Sequence, residues 1–315
     1  MLESLFNINK ENVDFPITEK YERRLPNNYN GYIYIWDIDG TYLNTNIKSL
    51  KTLIKSPFEL PNDKKNIEGA EVLLRQLRIG YDSDENKLNP LYFITASPPF
   101  MEKSITRKMI YDRVEYDGII YKDFAGIISN MSFKEFKSQL TYKLYAFVHS
   151  RSLFPKDAKE ILFGDNLEQD AEIYSLYEKI IDKYADYDFI ERNLKSLGIS
   201  ENYLYGILNK AKKLEKPENN PVKAIYIHLT NKQKKENYRK YTDKLIPVDN
   251  YFQASASLYE KKHIRIDSVK KVFDGILSYD NHSKSSLINT LKSMEEKEYI
   301  KSDTVKDIID YINES

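Results

Sequence analysis

The sequence predicts a doubly wound α/β fold, a parallel sheet with helices on both faces. Three observations lead there. Short apolar runs rich in β-branched and aromatic residues recur along the chain, segments of helical period lie between them, and chemically able polar residues stand where the runs end. In such sheets ligands bind beyond the carboxyl ends of the strands.

The strands are expected at YIYIW (32–36), LYFIT (91–95), GIIY (118–121), EILFG (160–164) and AIYIHL (224–229). Helical period is carried by IEGAEVLLRQLR (67–78), SFKEFKSQLTYKLYAFVHS (132–150) and EQDAEIYSLYEKIIDKY (168–184). Two stretches break the alternation. Residues 185–220 read as two further helices, an insertion closed by the loop around Pro217 and Pro221. From Pro247 onward the pattern is wholly helical, so residues 1–245 are assigned to a catalytic domain and 246–315 to a helical C-terminal region. Residues 45–88, between the first two strands, are expected to form a small helical cap.

Composition narrows the function classes. With 315 residues, 41% hydrophobic and 13% aromatic, the chain can bury a sizeable core. Lys plus Arg and Asp plus Glu balance at 48 each, which argues against nucleic acid as a partner, because phosphate tracking needs a broad basic surface. The absence of cysteine excludes disulfides, thiolate metal sites and cysteine nucleophiles. No leader-like apolar stretch opens the chain and no run approaches 18 apolar residues, so a cytoplasmic protein is expected. Residues 231–244 carry six Lys or Arg against two acids. A solvated face is the ordinary reading of such a run; peripheral contact with an anionic membrane is the functional one.

The site begins at WDIDGT. Asp37 and Asp39 lie two residues apart behind the first strand, on one face and roughly 6 to 7 Å from each other. At an effective dielectric of about 20 their charges repel by roughly 2.5 kcal/mol, which calls for a cation nearby. A calcium loop is excluded: Gly40 falls at the fourth position, Tyr42 at the sixth, and a strand precedes. An Asp-Gly turn that merely stops a strand would explain this stretch alone. Thr95 at the end of a second strand, Lys143 in LTYKLY, and Asp165 and Asp170 in ILFGDNLEQD turn the balance toward chemistry.

This ordered set resembles the haloacid dehalogenase (HAD) superfamily of phosphatases, whose motifs are DxDx[TV], a strand-terminal Thr or Ser, a Lys, and GDxxxD or a close variant. The resemblance implies a HAD-like (Rossmannoid) fold, Asp37 as the nucleophile on phosphorus and Asp39 as general acid and base. It implies Lys143 and Thr95 on the phosphoryl oxygens, with Thr41, Ala96 and Ser97 completing the phosphate-binding loops. Mg²⁺ is expected on Asp37, the Asp39 backbone carbonyl, Asp165 and Asp170. A carboxylate of reference pKa about 3.9 is ionised at neutral pH and attacks without a base. Mg²⁺, a hard cation that takes carboxylate and phosphate oxygens, offsets the crowded charge. Each residue also has an ordinary reading: Ser97 could replace Thr95, Lys137 could replace Lys143, and Asp170 could only stabilise a helix N-terminus. His149, His228, His263 and His282 show no metal spacing and are left as surface or core residues.

Within the superfamily, GDNLEQDAEIY is similar to the GDSGEQDxEIY signature of the phosphatidate phosphatase catalytic-domain family, the type first associated with an actin-patch protein. FITASPPFM is similar to its second motif, and PVKAIYIHLT to its closing strand, with His228 where arginine is usual. The resemblance runs with gaps over roughly 32–230. Departures are DIDGT in place of DIDDT, no Trp after Ser97-Pro98, and the 185–220 insertion. Every acid is kept. The expected substrate is phosphatidate or a related phosphomonoester; a soluble metabolite phosphate, or a non-catalytic binding module on the same fold, is the alternative.

Overall fold

The computed structural model describes residues 15–44, 60–82, 87–123, 139–182, 186–199, 201–230 and 237–314. Its centre is a seven-stranded sheet of order β1-β4-β3-β2-β5-β6-β7, with strands β1 (Ile17–Tyr21), β2 (Tyr32–Trp36), β3 (Leu91–Thr95), β4 (Gly118–Lys122), β5 (Lys159–Asp165), β6 (Val222–His228) and β7 (Leu245–Val248). The strands from β4 to β7 are parallel; β1 runs antiparallel along β4. All five expected runs are strands. The two additional ones are edges. ITEKY exposes Glu19 and Lys20 and buries no residue fully, so it lacks an apolar signal. LIPV contains Pro247, which an edge strand tolerates because one of its sides needs no ladder bond. Pro247 therefore belongs to the sheet, and the C-terminal helices begin later, at Tyr251, where the Asn250 side chain accepts from Gln253 N (3.1 Å).

The helices are α1 (Ala70–Ile79), α2 (Glu102–Tyr111), α3 (Gln139–Leu153), α4 (Asp170–Asp182), α5 (Tyr187–Ser196), α6 (Glu201–Lys212), α7 (Tyr251–Glu260), α8 (Ile266–Leu277), α9 (Lys284–Glu296) and α10 (Ser302–Glu314). They form two layers. One sheet face is covered by α1, α2 and the four C-terminal helices, whose Phe252, Val272, Leu291 and Ile308 share a core with Trp36, Phe163 and Tyr226. The other carries α3 and α4 together with the expected insertion, α5 and α6, through Phe147, Tyr177, Ile190 and Leu204. The helical tail is thus a wall of the catalytic core. Of the expected cap, residues 45–59 and 83–86 lie outside the described residues, and its described helix α1 packs into the first layer through Leu73, Leu74 and Leu77.

β2 lies between β3 and β5, with Trp36 in register with Phe93 and Phe163. Thr95 is level with Tyr121, and Asp165 with His228. The parallel order thereby brings residues 37, 95, 122, 165 and 228 to one end of the sheet. In sequence the first and last of these are far apart.

Candidate active site

Asp37 N donates to Phe163 O (2.9 Å), so this aspartate is still anchored to the sheet. The chain then turns tightly: Tyr42 N and Leu43 N both bond Ile38 O, at 2.9 and 2.8 Å, and Gly40 N bonds Leu43 O at 2.8 Å. Gly40 has φ +79°, and a Cβ there would sit 2.1 Å from Asp165 Oδ2. Glycine is required at this position both by conformation and by space. In this chain Asp165 occupies the room that a side chain at position 40 would need. Gly164 does the same for Asp170, whose Oδ2 approaches to 3.1 Å from Asp165 N.

Lys143, fully buried on α3, reaches three acids: Asp170 Oδ1 at 2.6 Å, Glu168 Oε2 at 3.0 Å and Asp37 Oδ1 at 3.3 Å. Thr41 Oγ1 donates to Asp37 Oδ2 (3.3 Å). Asp39 faces the other way. Its Oδ2 accepts from Ser97 Oγ at 2.9 Å and Thr95 Oγ1 at 3.2 Å, while Ser97 N donates to Thr95 Oγ1 at 3.0 Å. Thr95 and Ser97, weighed as alternatives from the sequence, thus hold one carboxylate together. The Tyr142 hydroxyl donates to Thr95 O and Ile120 O, fastening α3 to two strand ends. Ala96 is half-buried against the second core and offers only its backbone. Lys137 lies outside the described residues.

Burial dominates the electrostatics. It pushes the Asp37 carboxyl well above the usual range; the Lys143 charge opposes this, and Asp170, Glu168 and Asp165 add to it. The neutral form of Asp37 is therefore favoured more here than it is in water, and the Lys143 charge beside it opposes that shift. Burial and then the Asp170 charge raise Asp165 to about 8. Burial also raises Asp170, against the pull of Lys143. Lys143 is disfavoured by burial, yet Asp170, Asp37 and Glu168 outweigh that and hold its pKa well above normal. Three carboxylates share this one lysine, with Asp165 beside them, so acids outnumber the cation out of water.

Carboxylate oxygens of Asp37, Asp165 and Asp170 lie within 4.8 Å of one another. Asp165 Oδ2 is buried and accepts no hydrogen bond among the described residues, and Asp37 Oδ1 has only the Lys143 ammonium at 3.3 Å. Orphaned buried oxygens are costly unless a cation meets them. The donor set is all oxygen and anionic, which fits a hard divalent ion such as Mg²⁺.

Three contributors had no signal of their own in the sequence. Lys122 ends β4 buried, its backbone N bonded to Ser97 O (3.3 Å). Burial lowers its pKa to about 8, with Glu168 opposing and Lys143 adding. Inspection of every strand end would have raised it. Glu168 lies inside the recognised signature but was given no role; it faces Lys143. His228, left as an ordinary residue, sits with Nδ1 3.4 Å from Gly40 O and its ring stacked on Tyr251, 5.4 Å between centroids.

Residues 32–186 match the family model of the phosphatidate phosphatase APP1 catalytic domain. No curated protein and no solved structure matches the chain. Every acid of the site falls within the matched residues; β6, with His228, lies beyond them.

Proposed function

The region 32–186 belongs to the phosphatidate phosphatase APP1 catalytic-domain family, and from that premise we propose that the protein is a Mg²⁺-dependent phosphomonoester hydrolase acting through an aspartyl-phosphate. The observation that carries this reading is the buried convergence of Asp37, Asp165 and Asp170, with Asp165 Oδ2 accepting no hydrogen bond among the described residues, beside Asp39 held by hydroxyl groups.

In this mechanism Asp37 attacks phosphorus in line with the departing alkoxide, forming the P–O bond to its carboxylate as the ester P–O bond breaks. Asp39 gives the alkoxide its proton and later takes one from the water that cleaves the acyl phosphate. Thr95 and Ser97 keep that carboxyl in place without a rotamer search. Lys143 holds Asp37 in position and offers its charge to the phosphoryl oxygens. When bound, Mg²⁺ would rest on Asp37, the Asp39 backbone carbonyl, Asp165 and Asp170, and supply the positive charge that the ionised acids and the phosphate need.

Phosphatidate or a related phosphomonoester is the substrate the family suggests. No helix among the described residues is long and apolar enough to cross a membrane, so a lipid phosphate would be met at the bilayer surface. A soluble phosphate is the second reading, favoured by the polar cleft described below. The test is release of phosphate from an aryl phosphate by the purified chain, with and without EDTA. Asp37→Asn should abolish it while the protein stays folded, and rapid acid quench of the parent should trap one phosphate per chain. Undiminished turnover by the variant refutes the assignment.

A further inference from the structure

Beside the catalytic loop lies a cleft of about 990 Å³, bounded by residues 64–75, the end of α2, His228 and Tyr279. Its floor is fastened to the catalytic loop by backbone bonds: Asn44 N donates to Lys65 O and Ile67 N to Tyr42 O, both at 2.9 Å, with a bridge between Leu43 and Asn66. His228 lines the cleft and stands with Nδ1 3.4 Å from Gly40 O, on the loop that carries Asp37 and Asp39. A leaving group departing from phosphorus would find this cleft within reach.

Its lining is polar and charged, with Ile67 the one aliphatic residue. Five cations and three acids contribute, but the acids are occupied or muted. Asp112 takes Lys108 Nζ and Asn66 Nδ2, both at 2.9 Å, and the Tyr42 hydroxyl. Glu68 is met by His282 and by Asn281 Nδ2 at 3.2 Å. Burial raises the Glu71 carboxyl above its ordinary range, with its own backbone N–H and Arg75 opposing. On the positive side, Arg75 donates to a neutral acceptor, Asp112 O, at 2.6 Å. Lys65 and Arg113 make no side-chain hydrogen bond or ion pair among the described residues, and both are exposed. Arg113 ends α2 at φ 56°, a conformation that ordinarily selects glycine, with Val114 N bonded to Met109 O at 2.8 Å. An arginine kept there projects its charge at the cleft mouth.

We propose that this cleft receives the leaving group and selects phosphomonoesters whose leaving group carries a second anionic group, bound by Lys65, Arg75 and Arg113. The proposal rests on the phosphohydrolase reading and narrows its substrate class. Guanidinium groups suit a second phosphate because they can bond it bidentately.

The experiment compares three phosphomonoesters: a soluble sugar monophosphate, the matching sugar bisphosphate, and a diacyl lipid with two phosphomonoesters on its headgroup in mixed micelles. Phosphatidate in the same micelles is the reference. The parent should prefer the doubly charged leaving groups by about tenfold or more in kcat/KM, as expected for a charged hydrogen bond to the second anion. Lys65→Glu and Arg113→Glu should collapse that preference toward unity through KM. Which of the soluble and lipid bisphosphates is faster identifies the source of the anion. Equal rates on mono- and bisphosphate, a preference that survives both reversals, or phosphatidate ahead of all three overturns the proposal. Calorimetric titration of full-length Asp37→Asn protein with the sugar bisphosphate and monophosphate keeps the two readings apart. If turnover is absent but the bisphosphate binds tighter and both reversals erase the difference, the cleft assignment stands and the catalytic one falls. If neither variant changes binding, the cleft assignment falls.

Discussion

Asp165→Asn separates the cost of the site from its use. Asp165 is fully buried; its Oδ1 accepts from Glu168 N (3.2 Å) and Leu167 N, and its Oδ2 accepts nothing among the described residues. Burial and the Asp170 charge raise its carboxyl from 3.8 to about 8 in the metal-free protein. Between those values the folded chain retains a proton that the unfolded chain releases, so stability falls as pH rises. At pH 7 the fall amounts to roughly 4 kcal/mol, three pH units at about 1.4 kcal/mol each. Asparagine keeps the acceptor for both backbone N–H groups and cannot ionise. In EDTA, the variant should therefore be more stable than the parent at pH 7 by a few kcal/mol, and the gap should close by pH 4. Mg²⁺ should narrow that gap, because saturation to 100 times Kd stabilises the parent by about 2.7 kcal/mol and leaves the variant unmoved, and about 1,000 times Kd, worth about 4.1 kcal/mol, should close it. Guanidinium unfolding followed by fluorescence reads this directly: the one tryptophan, Trp36, is buried beside Asp37 and stacked on Phe163 at 4.2 Å. A variant no more stable than the parent at pH 7 in EDTA, with the same pH slope, would refute the reasoning.

Other perturbations probe the same framework. Gly40→Ala forces a side chain into φ +79° and into Asp165, so turnover of an aryl phosphate should drop by about 10²-fold with circular dichroism unchanged. Lys143→Met leaves buried acids without their cation and should cost about 3 to 5 kcal/mol of unfolding free energy at pH 7.5 in EDTA, less at pH 5 where the acids take up protons. His263 is pushed down to about 4 by burial, with Lys261 adding; the Tyr34 hydroxyl is 3.1 Å from Nδ1 and the Tyr32 ring packs edge-on. Its folded pKa lies below the unfolded 6.5, so its contribution is complete above pH 6.5 and is lost as pH falls toward 4, by roughly 3 kcal/mol. Titration of unfolding free energy in Mg²⁺ should show that loss in the parent and not in His263→Asn.

What the sequence disclosed was whatever a single segment carries. Five strands were legible because each is a short apolar run, and Asp37, Thr95 and Asp165 because each follows one. β1 and β7 were not, since a half-exposed edge strand and one containing Pro247 look like loop. The upward shift of the Asp37 carboxyl was not legible, because burial is a tertiary property, absent from any reference value. The basic cleft was invisible for another reason. Lys65, Arg75 and Arg113 are spread over nearly fifty residues, and only the pairing of 42–44 with 65–67 and the packing of α1 beside α2 bring them together.

The family match ends at residue 186, yet the physical site does not. β6 supplies the neighbour of β5 on the side of Asp165 and presents His228 to Gly40. Tyr251, the first residue of α7, donates its hydroxyl to Thr41 O at 2.7 Å and stacks on His228, and its ring lies 5.3 Å from Trp36. The loop that holds Asp37, Asp39 and Thr41 is thus clamped from behind by residues well outside the matched region. A clamp of that kind is what the electrostatics demand. Carboxylates forced together out of water will separate wherever the backbone yields, and a loop with a left-handed glycine at its turn yields easily unless something braces it. The aromatic wall from β6 and α7 gives that brace, which accounts for a helical tail packed into the core rather than hung from it.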